Sequence, residues 1–345
     1  MKRRHVLSGL LFAPAILTVS RAARAQTDDA LYQAAKAEGS VSFAGALKQR
    51  ETDEIMREFE RRYPGIRVSY TRRSTEPMVQ LIEADRLANR TSFDVVNLTE
   101  PGEMLRLKAG GYFAKTEPVP NEELLPGTFD GDGTFRAYGV TPMYGIVNTD
   151  KVKPADRPVS LAELLTPAWK SRVVISQPSR GGTDSAALMN VAQAIGPDFL
   201  TKVKGLDILL TRGNEAAISA VVSGERMLTW GVSGYRALDA IADGSPVAIV
   251  FWKEGTAIAS FYGGVVAKAA HPNAARLLER WFMSRAVQEQ VVQKLSVYSA
   301  RRDVTATPAD EPPLAKLPIN FYSADEVAQK GQALALAFDK ALGVK

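Results

Sequence analysis

The stretch "SVSFAGALKQRETDEIMREFERRYPGIRVSY", residues 40–70, holds two strands around one helix. Ser40–Gly45 reads as a strand. Ile55, Met56 and Phe59 then recur at helical spacing, and Pro64-Gly65 stops that helix. Ile66–Tyr70 is a second strand. Upstream, a helix over Ala30–Glu38 ends at Gly39, a residue suited to the left-handed turn at a helix C-terminus. Downstream, Pro77 opens a helix carrying Val79, Leu81, Ile82 and Leu87. Phe93–Leu98 is a third strand, and Gly102–Ala109 a helix closed by Gly110-Gly111. Strands alternating with helices predict an α/β fold: a mostly parallel sheet with helices on both faces.

The chain has 345 residues, more than one core usually holds, so two lobes are expected. After an irregular stretch at Glu117–Phe135, "RAYGV" and "YGIVNT" read as two extended segments. A second α/β series starts at Arg172–Ser176. It predicts helices near Ser185–Ile195, Pro197–Leu210 and Asn214–Ser223, a strand at Arg226–Trp230, a helix at Tyr235–Ala242 and a strand at Pro246–Phe251. "GGVVAK" is one more strand, and helices follow at Asn273–Met283, Ala286–Leu295 and Asp325–Leu342. There is no internal repeat and no flexible linker, so the lobes should be joined by extended crossings.

Residues 1–25 have a basic start, a short apolar centre and an Ala23-Arg24-Ala25 ending, the pattern of a cleavable export signal. Arg3-Arg4 before His5-Val6-Leu7 fits a twin-arginine motif and equally a general secretory signal. The signal carries five basic residues and no acid; the remainder has 38 basic against 38 acidic residues. The whole chain's net charge of +5 therefore belongs to the signal and does not point to nucleic acid. The absence of cysteine excludes thiolate chemistry, a thiolate metal site and a lipid-anchored cysteine. The expected compartment is the periplasm.

Catalytic patterns are sparse. Past the signal the one histidine is His271, before Pro272 at a helix start, a surface-turn position. No nucleophile elbow, phosphate-binding P-loop, dinucleotide fingerprint or zinc-protease motif is present. Carboxylates are plentiful, and none stands out as a catalytic pair.

Binding features are richer. In open α/β sheets, ligands sit beyond the carboxyl ends of strands. Five loops follow predicted strands in this way: Ala46–Arg50, Thr71–Glu76, Thr99–Glu103, Gln177–Asp184 and Gly231–Arg236. Arg72, Arg73 and Arg180 offer forked hydrogen bonds to a carboxylate or phosphate. Ser74, Thr183 and Ser233 stand at helix starts, Gly181-Gly182 lets backbone N–H groups approach a ligand, and Trp230 and Tyr235 could wall an organic molecule. Each also has an ordinary role as a cap, a solvated charge or a core residue.

In its "YGIVNTDKV … PVSLAELLTPAWKSRVV" block, and in "EIMREFERRYPGIRVSY", "FDVVNLTEPGEMLRLKAGGYF" and "HPNAARLLERWFMSRAVQEQV", the chain resembles the ferric-binding-protein-like family of periplasmic solute-binding proteins of ABC transporters. The resemblance implies a two-lobed type II periplasmic binding fold, each lobe a mostly parallel sheet flanked by helices and joined by crossing strands. It implies closure on a small-molecule solute and docking on a membrane permease. No enzymatic activity, cofactor or nucleic-acid partner is expected, and the chain is expected to be a monomer. The lobes expected are residues 26–138 with about 253–300, and residues 139–252 with about 301–345. Ferric-binding members use a tyrosine pair after the strand matching "RMLTW"; here Val232 and Ser233 fall at about those places, with Tyr235 nearby, and Gln49 near a place where some carry histidine. Other members take phosphonates, phosphorylated compounds, thiamine or polyamines. The expected ligand is a small anionic or zwitterionic organic solute, touched by Lys48, Gln49, Arg72, Arg73, Ser74, Thr99, Glu100, Tyr144, Arg180, Gly181, Gly182, Thr183, Trp230, Ser233, Tyr235 and Tyr262. The alternatives are a ferric or metal-chelate binder using Tyr235 and Tyr262, and an exported carboxylate-dependent hydrolase.

Overall fold

The computed structural model describes residues 29–180, 183–309 and 311–344; the signal read at 1–25 and Gly181-Gly182 lie outside the described residues. A helix over residues 29–38 (α1) leads into β1 (Ser40–Gly45), α2 (Gln49–Arg62), β2 (Arg67–Arg72), α3 (Thr75–Leu87), β3 (Val95–Leu98) and α4 (Pro101–Ala109). β1 lies between β2 and β3 and pairs parallel with both. Ile55, Met56 and Phe59 of α2 are buried, as their spacing requires.

The chain then enters β4 (Arg136–Asn148), thirteen residues buried throughout. The two extended segments expected here are one strand. Pro142 has no N–H for a ladder, but β4 changes partners at this point. Up to Pro142 it pairs with β9 (Thr256–Val265), and from Met143 with β7 (Leu228–Ser233) and then β8 (Val247–Val250). The missing donor therefore interrupts no continuous ladder.

Beyond β4 come α5 (Leu161–Leu164), β5 (Val174–Ser176), α6 (Asp184–Ile195), α7 (Phe199–Lys204), β6 (Leu209–Thr211) and α8 (Asn214–Val222), then β7, α9 (Gly234–Ala242) and β8. The sequence predicts one helix over Pro197–Leu210. It ends instead at Lys204 and Gly205, and Leu209–Thr211 pairs parallel with β5. Leu206 continues the apolar spacing of Phe199 and Val203, and a three-residue strand is too short to show alternation. The "GGVVAK" strand is the end of β9, which starts at Thr256. α10 (Pro272–Phe282), α11 (Arg285–Leu295), β10 (Ile319–Asn320), α12 (Ala324–Glu326) and α13 (Gln332–Ala341) complete the chain, with a π-helical turn at Val327–Gly331 inside what reads as one C-terminal helix. Among the described residues, no helix is long and apolar enough to cross a membrane.

Every antiparallel pair of strands involves β4 or β9; β1–β2, β1–β3, β5–β6 and β9–β10 are parallel. This is a two-lobed α/β fold with two crossing strands. The first lobe's core gathers Phe43, Phe59 and Phe282, and the second lobe's gathers Phe199, Trp230, Trp252 and Phe338. α13 packs on α6 and α7 of the second lobe, while α12 and the π turn reach α4 of the first.

The crossing is tight. Trp252 lies against Gly145 of β4 and donates its indole N–H to the Trp230 carbonyl (2.9 Å). Tyr138 of β4 covers Gly263 of β9, where an added Cβ would sit 2.1 Å from the ring. Gly263→Ala should therefore destabilise the fold by about 1–3 kcal/mol in denaturant unfolding, the usual cost of overpacking. Gly131→Ala, with open space around it, should stay within about 0.5 kcal/mol of the parent. Equal stability of the two variants would contradict this account of the crossing.

Candidate functional site

A cleft of about 500 Å³ lies between the lobes. Four helices begin on it: α3 from the first lobe and α6, α8 and α9 from the second. Their N-cap residues Ser74, Thr183, Gly213 and Ser233 all line the cleft, and none caps its own helix through a side chain. The first N–H groups of a helix have no partner inside it, and its dipole makes that end positive. Arg72, Arg180, Arg212 and Arg236 line the same space, against Glu76, Asp184 and Glu215.

The second-lobe wall is held by a polar network. Asn214 donates to Asp184 Oδ1 (2.6 Å) and accepts the backbone N–H of Ser233 (2.7 Å). Ser176 donates to Asp184 Oδ2 (2.8 Å), and the Thr183 and Ser233 hydroxyls are 3.1 Å apart. These bonds tie the starts of α6, α8 and α9 together. Burial pushes the Asp184 carboxyl up to about 6, although the bonds from Ser176 and Asn214 and the charge of Arg236 oppose that rise.

Ion pairs span the cleft. Lys48, at the start of α2, meets Asp239 of α9 at 2.6 Å, and its ammonium lies 5.4 Å from the Tyr235 ring centroid. Glu215 of α8 binds Arg236 and has Arg72 of the first lobe at 3.9 Å. Tyr235 packs against Phe261 of β9, with ring centroids 5.8 Å apart. The lobes are thus drawn together around the cavity.

Of the residues expected from sequence, Arg72, Ser74, Thr99, Arg180, Thr183, Ser233 and Tyr235 line the cleft. Gly181 and Gly182 lie outside the described residues. The others stand elsewhere. Gln49 accepts from the Arg72 N–H (2.8 Å) and donates to Asp53, steadying the loop after β2. Arg73 is exposed and does not line the cavity, since neighbouring residues of an extended segment face opposite ways. Glu100 caps α4 through the Gly102 N–H (3.4 Å). Tyr144 is buried beneath Gly234 and donates to Glu311. Trp230 is second-lobe core, and Tyr262 donates to the Gly127 carbonyl (2.8 Å). Lys48 acts through the Asp239 contact.

Arg212, Gly213 and Asn214 form a sixth loop that the sequence reading missed, because the short strand β6 before it was hidden in the expected helix. The Gly213-Asn214 pair before an apolar helical run was the available signal. Arg212 makes no hydrogen bond or ion pair with a described residue.

His271 is not a free surface turn. It stands at the N-cap of α10, its Nδ1 2.9 Å from Asp94 Oδ2 and its Nε2 3.1 Å from the Ser40 hydroxyl. The order of groups is that of a hydrolytic relay, but neither Ser40 nor His271 lines the cleft. The buried Asp94 also accepts the N–H of Ser42, the N–H of His271 and the Ser42 hydroxyl. The group fastens β1, β3 and α10. Among the described residues, no three His, Asp or Glu side chains gather as metal ligands.

Residues 91–330 match the profile of bacterial extracellular solute-binding proteins. No curated protein matches the chain. Among solved structures, iron-bound HitA from Pseudomonas aeruginosa is similar, with 18% identity, a TM-score of 0.74, and 88% of this chain and 99% of that one covered. AfuA from Actinobacillus pleuropneumoniae, with exogenous fructose-6-phosphate bound, has 18% identity and a TM-score of 0.72 over 89% of this chain and 99% of its own. The substrate-binding protein of an ABC transporter from Agrobacterium tumefaciens has 18% identity and a TM-score of 0.73 over 88% and 94%.

The Asp184 carboxyl takes up its proton near pH 6 in the folded protein and near 3.8 when unperturbed. It therefore favours the folded state fully below about pH 4, and that contribution is lost as pH rises through about 6, a swing of about 3 kcal/mol. Thermal unfolding of Asp184→Asn across pH should lack this fall. Parallel pH profiles for parent and variant would contradict the assignment.

Proposed function

The chain belongs to the family of bacterial extracellular solute-binding proteins, and we propose that, as the solute-binding component of an ABC transporter, it captures a small organic solute bearing a phosphate, phosphonate or carboxylate group. One observation carries the reading: four helix N-termini and four arginines converge on a single cleft. Both kinds of group are anion-binding elements, the helix ends through N–H groups and the arginines through charge and forked donors. A cavity of about 500 Å³ falls in the range of small-molecule sites.

In this reading Arg72 and Ser74 hold the anion from the first lobe, and Arg180, Arg212, Arg236, Thr183 and Ser233 hold it from the second. Glu76 and Glu215 supply acceptors for an ammonium group, so a zwitterion fits as well as a simple anion. The solute bridges the lobes and favours the closed state, which the Lys48–Asp239 and Arg72–Glu215 pairs already support. The closed form then delivers the solute to a membrane permease. The fructose-6-phosphate in AfuA is a ligand of the chemistry proposed.

A ferric reading has less support. A ferric ion favours anionic oxygen ligands. The Tyr144 and Tyr262 hydroxyls are buried in internal hydrogen bonds, and burial pushes the Tyr262 phenol up to about 12. Burial raises the Tyr235 phenol as well, which works against a phenolate, although the arginines beside it oppose the rise.

Titration calorimetry with sugar phosphates, phosphonates, dicarboxylates and ferric salts tests the proposal. At least one phosphate-, phosphonate- or carboxylate-bearing solute should bind, and Arg180→Ala or Arg236→Ala should weaken it about 10- to 100-fold, the effect of losing a charge-assisted hydrogen bond of about 1.5–3 kcal/mol. Binding of ferric ion alone, with a visible tyrosinate band, would overturn it.

A further inference from the structure

Arg180 reaches the cleft from a short turn whose conformation is set from behind. Its Nε donates to Gln177 Oε1 at 2.9 Å. The other end of that amide, Nε2, donates to Asp339 Oδ2 at 2.7 Å and to the Ser179 hydroxyl at 3.0 Å. Ser179 in turn donates to Asp339. Asp339 belongs to α13, more than 150 residues further along the chain, and does not line the cleft.

Nothing in α13 itself explains an aspartate here. The residue is 7% exposed, sits in the last turn of the helix, and its Oδ1 has no hydrogen-bond partner among the described residues. A buried carboxylate is costly, and a negative charge at a helix C-terminus opposes the dipole. The contact it makes with the Arg180 turn accounts for its presence.

The chemistry of an amide makes this contact directional. A carboxylate only accepts, so it fixes which end of Gln177 faces it: Nε2 toward Asp339, and therefore Oε1 toward Arg180. Without the carboxylate the amide is free to turn, and a turned amide sets donor against donor at Arg180 Nε. We infer that Asp339 is a positioning residue for the solute site: through Gln177 and Ser179 it orients Arg180, leaving the two terminal guanidinium nitrogens for the ligand and making the C-terminal helix part of the binding apparatus. The inference rests on the reading of the cleft as an anion site, but its first test does not require a ligand.

The Arg180 Nε–Hε resonance of ¹⁵N-labelled protein, identified by its loss in Arg180→Lys, reports the bond directly. In Asp339→Leu this signal should shift and exchange with water at least about tenfold faster, while the other arginine Nε signals hold their positions. Asp339→Asn, which keeps an acceptor for Gln177 Nε2, should restore it. Should Asp339→Leu fail to fold, Asp339→Ser, too short to reach Gln177, asks the same question. An Arg180 signal unchanged in a folded Asp339→Leu or Asp339→Ser protein would overturn the inference. Titration with fructose-6-phosphate and inorganic phosphate adds a second readout: Asp339→Leu should weaken either anion about as much as Arg180→Ala, with no further loss in the double variant. If Arg180→Ala leaves anion binding untouched, the reading of the cleft fails, and the resonance comparison still decides what Asp339 does.

Discussion

The antiparallel pairing of β4 and β9 ties the two lobes together. Both strands are buried from end to end, and between them they make every antiparallel contact among the named strands. β9 borders the parallel sheet of the first lobe through β3, and β4 borders β7 and β8 of the second. A buried ion pair reinforces the first-lobe end: Arg136 of β4 binds Glu279 of α10 and donates to the Thr116 and Gly133 carbonyls. A buried pair of this kind adds little net stability, but removing one partner strands the other charge. It thus holds the first-lobe end of β4 in one arrangement.

Because the lobes meet along two strands, the carboxyl ends of the outer strands face one another across a narrow space. Strands β2, β5, β6 and β7 lead into the helices α3, α6, α8 and α9 that start there, so positive helix ends accumulate at the cleft as a consequence of topology. The arginines add charge to a place the backbone has already made favourable for an anion. Asp184, held by Ser176 and Asn214, joins three of these starts, and burial raises its carboxyl pKa. The same fold supports iron-bound HitA and sugar-phosphate-bound AfuA, so the fold does not choose the ligand. In the proposed reading, the side chains at the loop ends do.

Much of this was legible in the sequence. The βαβ signal at residues 40–70 established the fold class, because amphipathic spacing in α2 and the Pro64-Gly65 stop are local features. Loops after strands located Arg72, Ser74, Thr183, Ser233 and Tyr235, since a strand-to-helix turn has a fixed place in an α/β sheet. What failed was direction. Tyr144, Trp230 and Tyr262 sit in the right segments, but their rings point into the cores, which spacing alone did not reveal. Arg212 was missed because a three-residue strand carries no period. The Asp339 contact joins residues more than 150 positions apart, beyond the reach of any local pattern.

A crystal structure of the protein soaked in selenate shows whether the cleft is an oxyanion site. Anomalous density among the starts of α6, α8 and α9, within hydrogen-bond distance of at least one of Arg180, Arg212 and Arg236, is the result predicted. A cleft without selenate, together with a ferric ion bound at the Tyr235 hydroxyl in a parallel iron soak, would contradict it.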